Sequence, residues 1–243
     1  MGFGFKSREH KAARSAVKAA QKDPNKIGKA RSLIEADGLS NSERIGFYEQ
    51  LADAPRYRNQ RDNSKNPETT CNLTSMAMAF EGLGMDIGDS ENTQGEENLY
   101  GEFYKKNRSR TEEDDRASFA RDKGLDTDHI ETPKFSDGST AQKWFTANVL
   151  PLLQQGAQAT IGIKQGKFKH VVRLQWVESK GLRIDDPYGQ SVGNKGQLGY
   201  AQNNPTTRDN VGDQEGSGDN CFLDWETVAK VCSDRYVQLY NTK

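Results

Sequence analysis

Residues 157–189 read AQATIGIKQGKFKHVVRLQWVESKGLRIDDPYG. Three β-rich runs stand out: AQATIGIK (157–164), HVVRLQWVE (170–178) and GLRIDDPYG (181–189). The connections between them are short and contain glycine, which is how antiparallel strands joined by tight turns read. Gly181 marks a hairpin turn, and Asp186-Pro187-Tyr188-Gly189 closes the last run with turn residues.

Upstream of these strands the periodicity is helical. SREHKAARSAVKAAQKD (7–23) is a basic, alanine-rich helix stopped at Asp23-Pro24. PNKIGKARSLIEADG (24–38) is a second helix ending at Gly38. SNSERIGFYEQLADA (40–54) is a third, capped by Ser40 or Ser42, with Ile45, Tyr48 and Leu51 as its apolar stripe. ENLYGEFYKKN (97–107) and TEEDDRASFARDKG (111–124) read as surface helices. DTDHIETP (126–133) is polar and shows no order. SDGSTAQKWFTANVLPLLQQG (136–156) offers Ser139 as a cap, and Trp144, Phe145, Val149 and Leu152 as a buried face, with Pro151 as a kink or boundary. After the strands, residues 190–220 read as a long loop, DWETVAKVC (224–232) as a helix capped by Asp224, and RYVQLYN (235–241) as a final strand. Helices come first and antiparallel strands after, so the fold class is α+β. The division expected is a helical N-terminal extension, 1–54, and one main domain, 55–243.

The chain of 243 residues carries a net charge of −1 and is 33% hydrophobic. That length suits one large domain with an appendage, and the charge makes no case for a nucleic-acid partner. The longest apolar runs fall short of a membrane span. The N-terminus, MGFGFKSREHKAARSAVKAA, is basic but lacks an apolar h-region, so no signal peptide is read. The three cysteines, Cys71, Cys221 and Cys232, form no CxxC pair and leave at least one free thiol. The sequence leaves a Cys221–Cys232 bridge open.

Cys71 is the cysteine with chemical promise. It lies in ETTCNLTSMAMAF (68–80), where Leu73, Met76, Ala77, Phe80 and Leu83 recur at helical spacing. With Thr70 as cap, a helix from about Cys71 to Leu83 places the thiol in the first turn. The unpaired N–H groups and positive dipole end there favour a thiolate. The bland alternative is a small buried cysteine. A thiol nucleophile needs a base held by a third group. Among the three histidines, His10, His129 and His170, only His170 opens a strand. Asp186, at the end of the next strand, is in place to accept the imidazole N–H and set its tautomer. A core histidine and a plain turn are the ordinary readings of those two taken singly. Gln60, and less directly Asn63, in YRNQRDN (57–63) are the upstream amides available to an oxyanion beside the Cys71 N–H. No HExxH or short His pair suggests zinc, and the Asp/Asn/Gly-rich stretch 203–220 does not match a spaced EF-hand loop. No cofactor and no metal is expected.

The combination NQRDN…TCNLTSMAMAFEGLG, KHVVRLQWV and DDPYG resembles the papain-like cysteine peptidases, in the branch related to the bacteriocin-leader (double-glycine) peptidases. The match spans roughly 57–189 in scattered motifs. Lys169 and Asn72 stand where many relatives carry glycine. The resemblance implies a nucleophile helix packed on a C-terminal antiparallel sheet, with Cys71 as nucleophile, His170 as base, Asp186 as orienting acid and Gln60 as oxyanion donor. It implies cleavage of peptide or amide bonds, with bacterial peptidoglycan as the leading substrate for an amidase or endopeptidase. A protease or deamidase acting on a protein, and a non-catalytic binding module on the same scaffold, are the competing readings. Without a signal peptide the chain is cytoplasmic as made. Dedicated secretion machinery would deliver an antibacterial effector, whose partner is an immunity or inhibitor protein, and phage lysis would release a lysin.

Overall fold

Ser7 opens the described chain by accepting the His10 N–H on its hydroxyl, which starts α1 (Arg8–Ala20). The computed structural model of the protein describes residues 7–90, 93–165, 168–189, 191–194, 197–200 and 218–243. Ala13, Ala16, Val17 and Ala20 form the buried face of α1, at the spacing of an amphipathic helix. Asp23 caps the 3-10 turn Pro24–Lys26, which runs into α2 (Ile27–Glu35). Helix α3 (Asn41–Leu51) begins with a reciprocal capping box between Ser40 and Glu43, so Ser40 rather than Ser42 is its cap. Its buried face is Phe47, Tyr48 and Leu51, with Ile45 only half-buried. His10 Nδ1 lies 2.7 Å from Glu43 Oε1 and ties α1 to α3.

Helix α4 (Cys71–Gly82) is buried all round from Asn72 to Gly82. One stripe of apolar spacing underestimates it, because a helix covered on every side needs no polar face. On one side it packs against the sheet. On the other it shares a core with α5 (Gly95–Lys105) and α6 (Glu113–Asp122), where Leu73, Met76 and Phe80 meet Leu99, Phe103 and Phe119. Gly84 ends α4 with φ +81°, and a Cβ there would come within 2.4 Å of the Gly28 Cα. Only glycine meets both demands, and through it helix α4 rests directly on α2.

The next elements are β1 (Leu125–Glu131), α7 (Gly138–Asn148), α8 (Leu150–Gln154), β2 (Gln158–Gln165), β3 (Phe168–Glu178) and β4 (Gly181–Asp185). They are followed by β5 (Ser191–Asn194), β6 (Gln197–Tyr200), β7 (Cys221–Asp224), α9 (Trp225–Val231) and β8 (Tyr236–Thr242). The strands lie in the order β1-β8-β2-β3-β4-β7-β5-β6. Neighbours are antiparallel except β5 and β7, which run parallel. The protein is thus a mixed helix and sheet fold with a largely antiparallel sheet. The buried faces of α1, α2 and α3 share one apolar core with Ala159, Ile161, Val172 and Leu174 of the sheet.

Several local expectations are corrected. Residues 126–131 are not orderless. They form most of edge strand β1, paired with β8 from Leu125↔Thr242 to Glu131↔Tyr236. An edge strand with much of its length in water reads as polar, which hid it. Helix α7 is capped by Asp137, in a box with Thr140, and not by Ser139. Pro151 sits in the first turn of α8 and marks a boundary. Phe145 and Val149 are buried, while Trp144 and Leu152 lie half-buried at the margin. The expected loop 190–220 contains β5 and β6, and its residues 201–217 lie outside the described residues. The question left open for Cys221 and Cys232 is answered: both are buried, and they form no disulfide. Asp224 does cap α9, accepting the Thr227 N–H.

A buried ion pair links β3 to β4 within the sheet. Arg173 Nη1 lies 2.6 Å from Asp185 Oδ2, with both side chains almost fully enclosed. Arg173 also donates to Ala52 O (2.7 Å), after α3, and to Gln158 Oε1 (2.9 Å) of β2. The β3–β4 register shifts between Leu174 and Trp176, and the bulge turns Gln175 so that its amide reaches Asp185 Oδ1 at 2.5 Å. Removing one partner strands a buried charge. Arg173→Met is expected to lower unfolding stability by about 3–5 kcal/mol. The double variant Arg173→Met/Asp185→Leu should regain most of it. Urea unfolding followed by circular dichroism checks both, and equal losses in single and double variants would remove the pair from the account.

Candidate functional site

The site begins where β4 stops. Strand β3 pairs with β2 along 168–174, but its pairing with β4 reaches only Arg173↔Asp185. Beyond that point the β3 edge is open to another partner. Helix α4 takes it. The Ser75 hydroxyl donates to Val171 O at 3.0 Å, and the Val171 N–H donates to the sulfur of Cys71. Residues 71 and 75 are one helical turn apart and share a face. Because a strand residue turns its N–H and C=O to the same side, Val171 gives both groups to the helix.

His170 precedes Val171 and lies against the Cys71 thiol, with a side-chain hydrogen bond between them. Its Nε2 is 2.6 Å from Asp186 Oδ1. Since Asp186 takes Nε2, the ring nitrogen left for the thiol is Nδ1. His170 is 9% exposed at its side chain and Asp186 is fully enclosed. Asp186 is fixed through every kind of group it has. Its N–H donates to Gly218 O (2.8 Å), its carbonyl accepts the Tyr57 hydroxyl (2.8 Å), and Oδ1 accepts the Tyr188 N–H (2.9 Å). Cys71, His170 and Asp186 are therefore contiguous in space.

Gln60 is buried in a 3-10 turn, Gln60–Asp62, between the two halves of the site. Its main-chain N–H donates to Pro187 O and its Nε2 to Pro67 O, both at 2.8 Å. One contact is beside Asp186 and the other four residues before Cys71. The second N–H of that amide is unspent among the described residues. Asn63 is otherwise engaged. Both of its amide protons go to hydroxyls, Thr70 Oγ1 at 2.9 Å and Thr74 Oγ1 at 3.3 Å. Thr70 accordingly occupies the N-cap position of α4 without capping it by its side chain. Leu73 N–H is taken by Asn72 Oδ1 and Thr74 N–H by Thr70 O, while the Cys71 N–H has no acceptor among the described residues.

Arg58 anchors the loop that carries Gln60. It is buried, with Glu96 and Asp89 at 2.6 Å and Glu81 of α4 at 3.2 Å. Burial, reinforced by the Glu96 charge, pushes the nearby Asp62 carboxyl up to about 7.

The electrostatics favour separated charge between thiol and imidazole. Burial works against the Cys71 thiolate, but the His170 hydrogen bond and charge and the Val171 N–H outweigh it, so the thiol is held below its ordinary value. Burial also opposes the His170 imidazolium; Asp186 and the Cys71 thiolate overcome it and raise the ring to about 10. The two shifts run in opposite directions, and both favour the thiolate and imidazolium over the neutral pair. By contrast, burial alone drives the Cys232 thiol far upward.

Sequence reasoning missed Ser75, Val171 and Tyr57. Ser75 could have been found by its i+4 relation to Cys71, whereas the Val171 contribution is main-chain and has no residue signature. Among the described residues, no group of three or more His, Cys, Asp or Glu is placed to hold a metal ion, and no helix is long and apolar enough to cross a membrane.

Alkylation of Cys71 by iodoacetamide, followed against pH by mass spectrometry of its peptide, is expected to inflect below the free-thiol value of about 8.5. In His170→Gln the inflection should move up, because the cation that lowers the thiol is gone. An inflection at the free-thiol value in the unmutated protein would contradict the charge-separated pair.

No protein-family model, no curated protein and no solved structure matches this chain, so the geometry of Cys71, His170 and Asp186 carries the functional reading.

Proposed function

We propose that the protein is a papain-like cysteine hydrolase that cleaves peptide or amide bonds, with bacterial peptidoglycan peptides as its substrate. One observation carries the reading. A thiol at the head of a buried helix is hydrogen-bonded to an imidazole whose other nitrogen lies 2.6 Å from an enclosed carboxylate. A structural cysteine has no need of an oriented base. The cell-wall assignment comes from the likeness of the Cys, His and Asp-Pro-Tyr-Gly motifs to the bacteriocin-leader peptidase-like branch.

In this reading the Cys71 thiolate attacks the scissile carbonyl carbon. The oxyanion that forms is met by the Cys71 N–H and the unspent Gln60 N–H, both fixed before substrate arrives. The His170 imidazolium gives its Nδ1 proton to the departing amine, leaving a thioester on Cys71. Neutral His170 then takes a proton from water, and the resulting attack releases the acid and restores the thiolate. Asp186 accepts from Nε2 throughout, keeping Nδ1 toward the sulfur and stabilising the imidazolium.

Purified sacculi incubated with the protein should release muropeptides detectable by mass spectrometry, and Cys71→Ala should release none. His170→Ala should abolish turnover, whereas Asp186→Asn should retain a trace, roughly 10⁴-fold below the unmutated rate, since it loses tautomer control but not the base. Turnover should survive EDTA and cease on thiol alkylation. Release that persists in Cys71→Ala, or that EDTA removes and zinc restores, would overturn the mechanism. Intact sacculi together with thiol-dependent cleavage of a protein would replace the substrate but keep the chemistry.

In the pH profile of kcat/KM, activity should rise as Cys71 ionises at a pH below the free-thiol value, and fall as His170 loses its proton near about 10. The upper limb should shift down in Asp186→Asn, because Asp186 contributes to holding that proton. An unmoved upper limb would assign it to another group.

A further inference from the structure

Arg61 takes no part in the steps above, yet it stands at the edge of the site. It follows Gln60 in the same 3-10 turn and is partly exposed. Its guanidinium carbon lies 4.8 Å from the centroid of the Tyr188 ring, over the ring face. The same ring meets His170 edge-on, with centroids 6.3 Å apart and planes at 78°. Arg61 is therefore no farther from the His170 ring than those two spans laid end to end. Tyr188 is a fixed platform: its N–H is on Asp186 Oδ1 and its hydroxyl lies 3.4 Å from Glu68 Oε2.

A stacked guanidinium has its face covered and its edge donors free. Among the described residues, the Arg61 guanidinium makes no hydrogen bond or ion pair. Arg58 and Arg173, in contrast, spend theirs on enclosed carboxylates. Glu68 occupies the hydroxyl end of Tyr188, so the platform is polarised, acidic at that end and cationic over the ring. An anion arriving beside His170 is steered toward Arg61.

We infer that Arg61 is a specificity-determining residue, and that the amide cleaved lies beside a free carboxylate, either an acidic side chain or a chain end of the peptide substrate. The planar fork of N–H donors would receive that carboxylate in bidentate fashion while Cys71 reaches the neighbouring carbonyl. The inference rests on Cys71 being the nucleophile of the proposed hydrolase.

Two affinity reagents test it without knowledge of the natural substrate: bromoacetyl-glycine, which carries a carboxylate, and bromoacetyl-glycinamide, its neutral counterpart. In each, the Cys71 thiolate displaces bromide and forms a thioether, scored by mass spectrometry of the Cys71 peptide. The unmutated protein should favour the carboxylate reagent, and in Arg61→Gln the ratio of the two rates should fall about tenfold, the scale of a charge-assisted hydrogen bond. Arg61→Lys should keep part of the preference, as a point charge without the fork. A ratio that is the same in Arg61→Gln as in the unmutated protein, whether both rates hold or both drop, would overturn the inference and leave Arg61 as packing for Tyr188. Failure of Cys71 to react with either reagent in the unmutated protein would instead overturn the nucleophile assignment, and this inference with it. A reactive Cys71 with no charge preference overturns the inference alone.

Discussion

Val171 gives its N–H to the Cys71 sulfur and receives the Ser75 hydroxyl on its carbonyl. That double grip is the constraint from which the rest of the architecture follows. It exists because β4 ends at Asp185 and, among the described residues, leaves the adjoining part of β3 without a strand partner on that side. A bare strand edge inside a protein has to be satisfied, and here a helix satisfies it with side chains. Once α4 is seated there, its remaining surface must be covered, which is why α5 and α6 share an apolar core with it and why it is buried all round from Asn72 to Gly82. The helix head, with its unspent N–H groups, is then left against His170.

The two consecutive aspartates at the end of β4 divide the work. Successive side chains leave a strand on opposite sides. Asp185 looks into the sheet, where Arg173, Gln175 and Asn220 neutralise and fix it. Asp186 looks to His170. Rigidity in the first supplies position to the second, since the two share a peptide unit. The buried pair costs desolvation, and its return is a main chain that cannot drift where the imidazole must be aimed. Tyr57 and Gln60 add two more ties to the same short segment, through Asp186 O and Pro187 O.

Much of this was legible in the sequence, unevenly. The three strands of 157–189 and the helix after Thr70 announced themselves by alternation and by 3.6-residue spacing, because each buries a face against the core. His170 could be singled out as the one histidine that reads as mounted on a strand, although His129 also lies on one, β1, and Asp186 by its place at the end of the strand that follows. What stayed hidden has a common cause. Strand β1 is an exposed edge, whose residues Asp126, Asp128 and Glu131 answer to water and not to its pairing with β8. Asn63 and Thr70 were legible as a loop amide and a cap, yet they satisfy each other across the turn, a choice set by tertiary contact. The Val171 grip uses only main-chain atoms, so no residue type could signal it.

The separation along the chain of the parts that meet at Asp186 has a consequence for synthesis. Tyr57 and Gln60 precede Cys71 in the chain, while His170, Asp186 and Gly218 come far later. Such long-range contacts close late in folding, after the local helices have formed. A chain emerging from the ribosome therefore carries Cys71 on a helix with neither its imidazole nor its Val171 N–H, and the thiol behaves as an ordinary one. The contacts that lower the Cys71 thiol arrive only with the hairpin of β3 and β4.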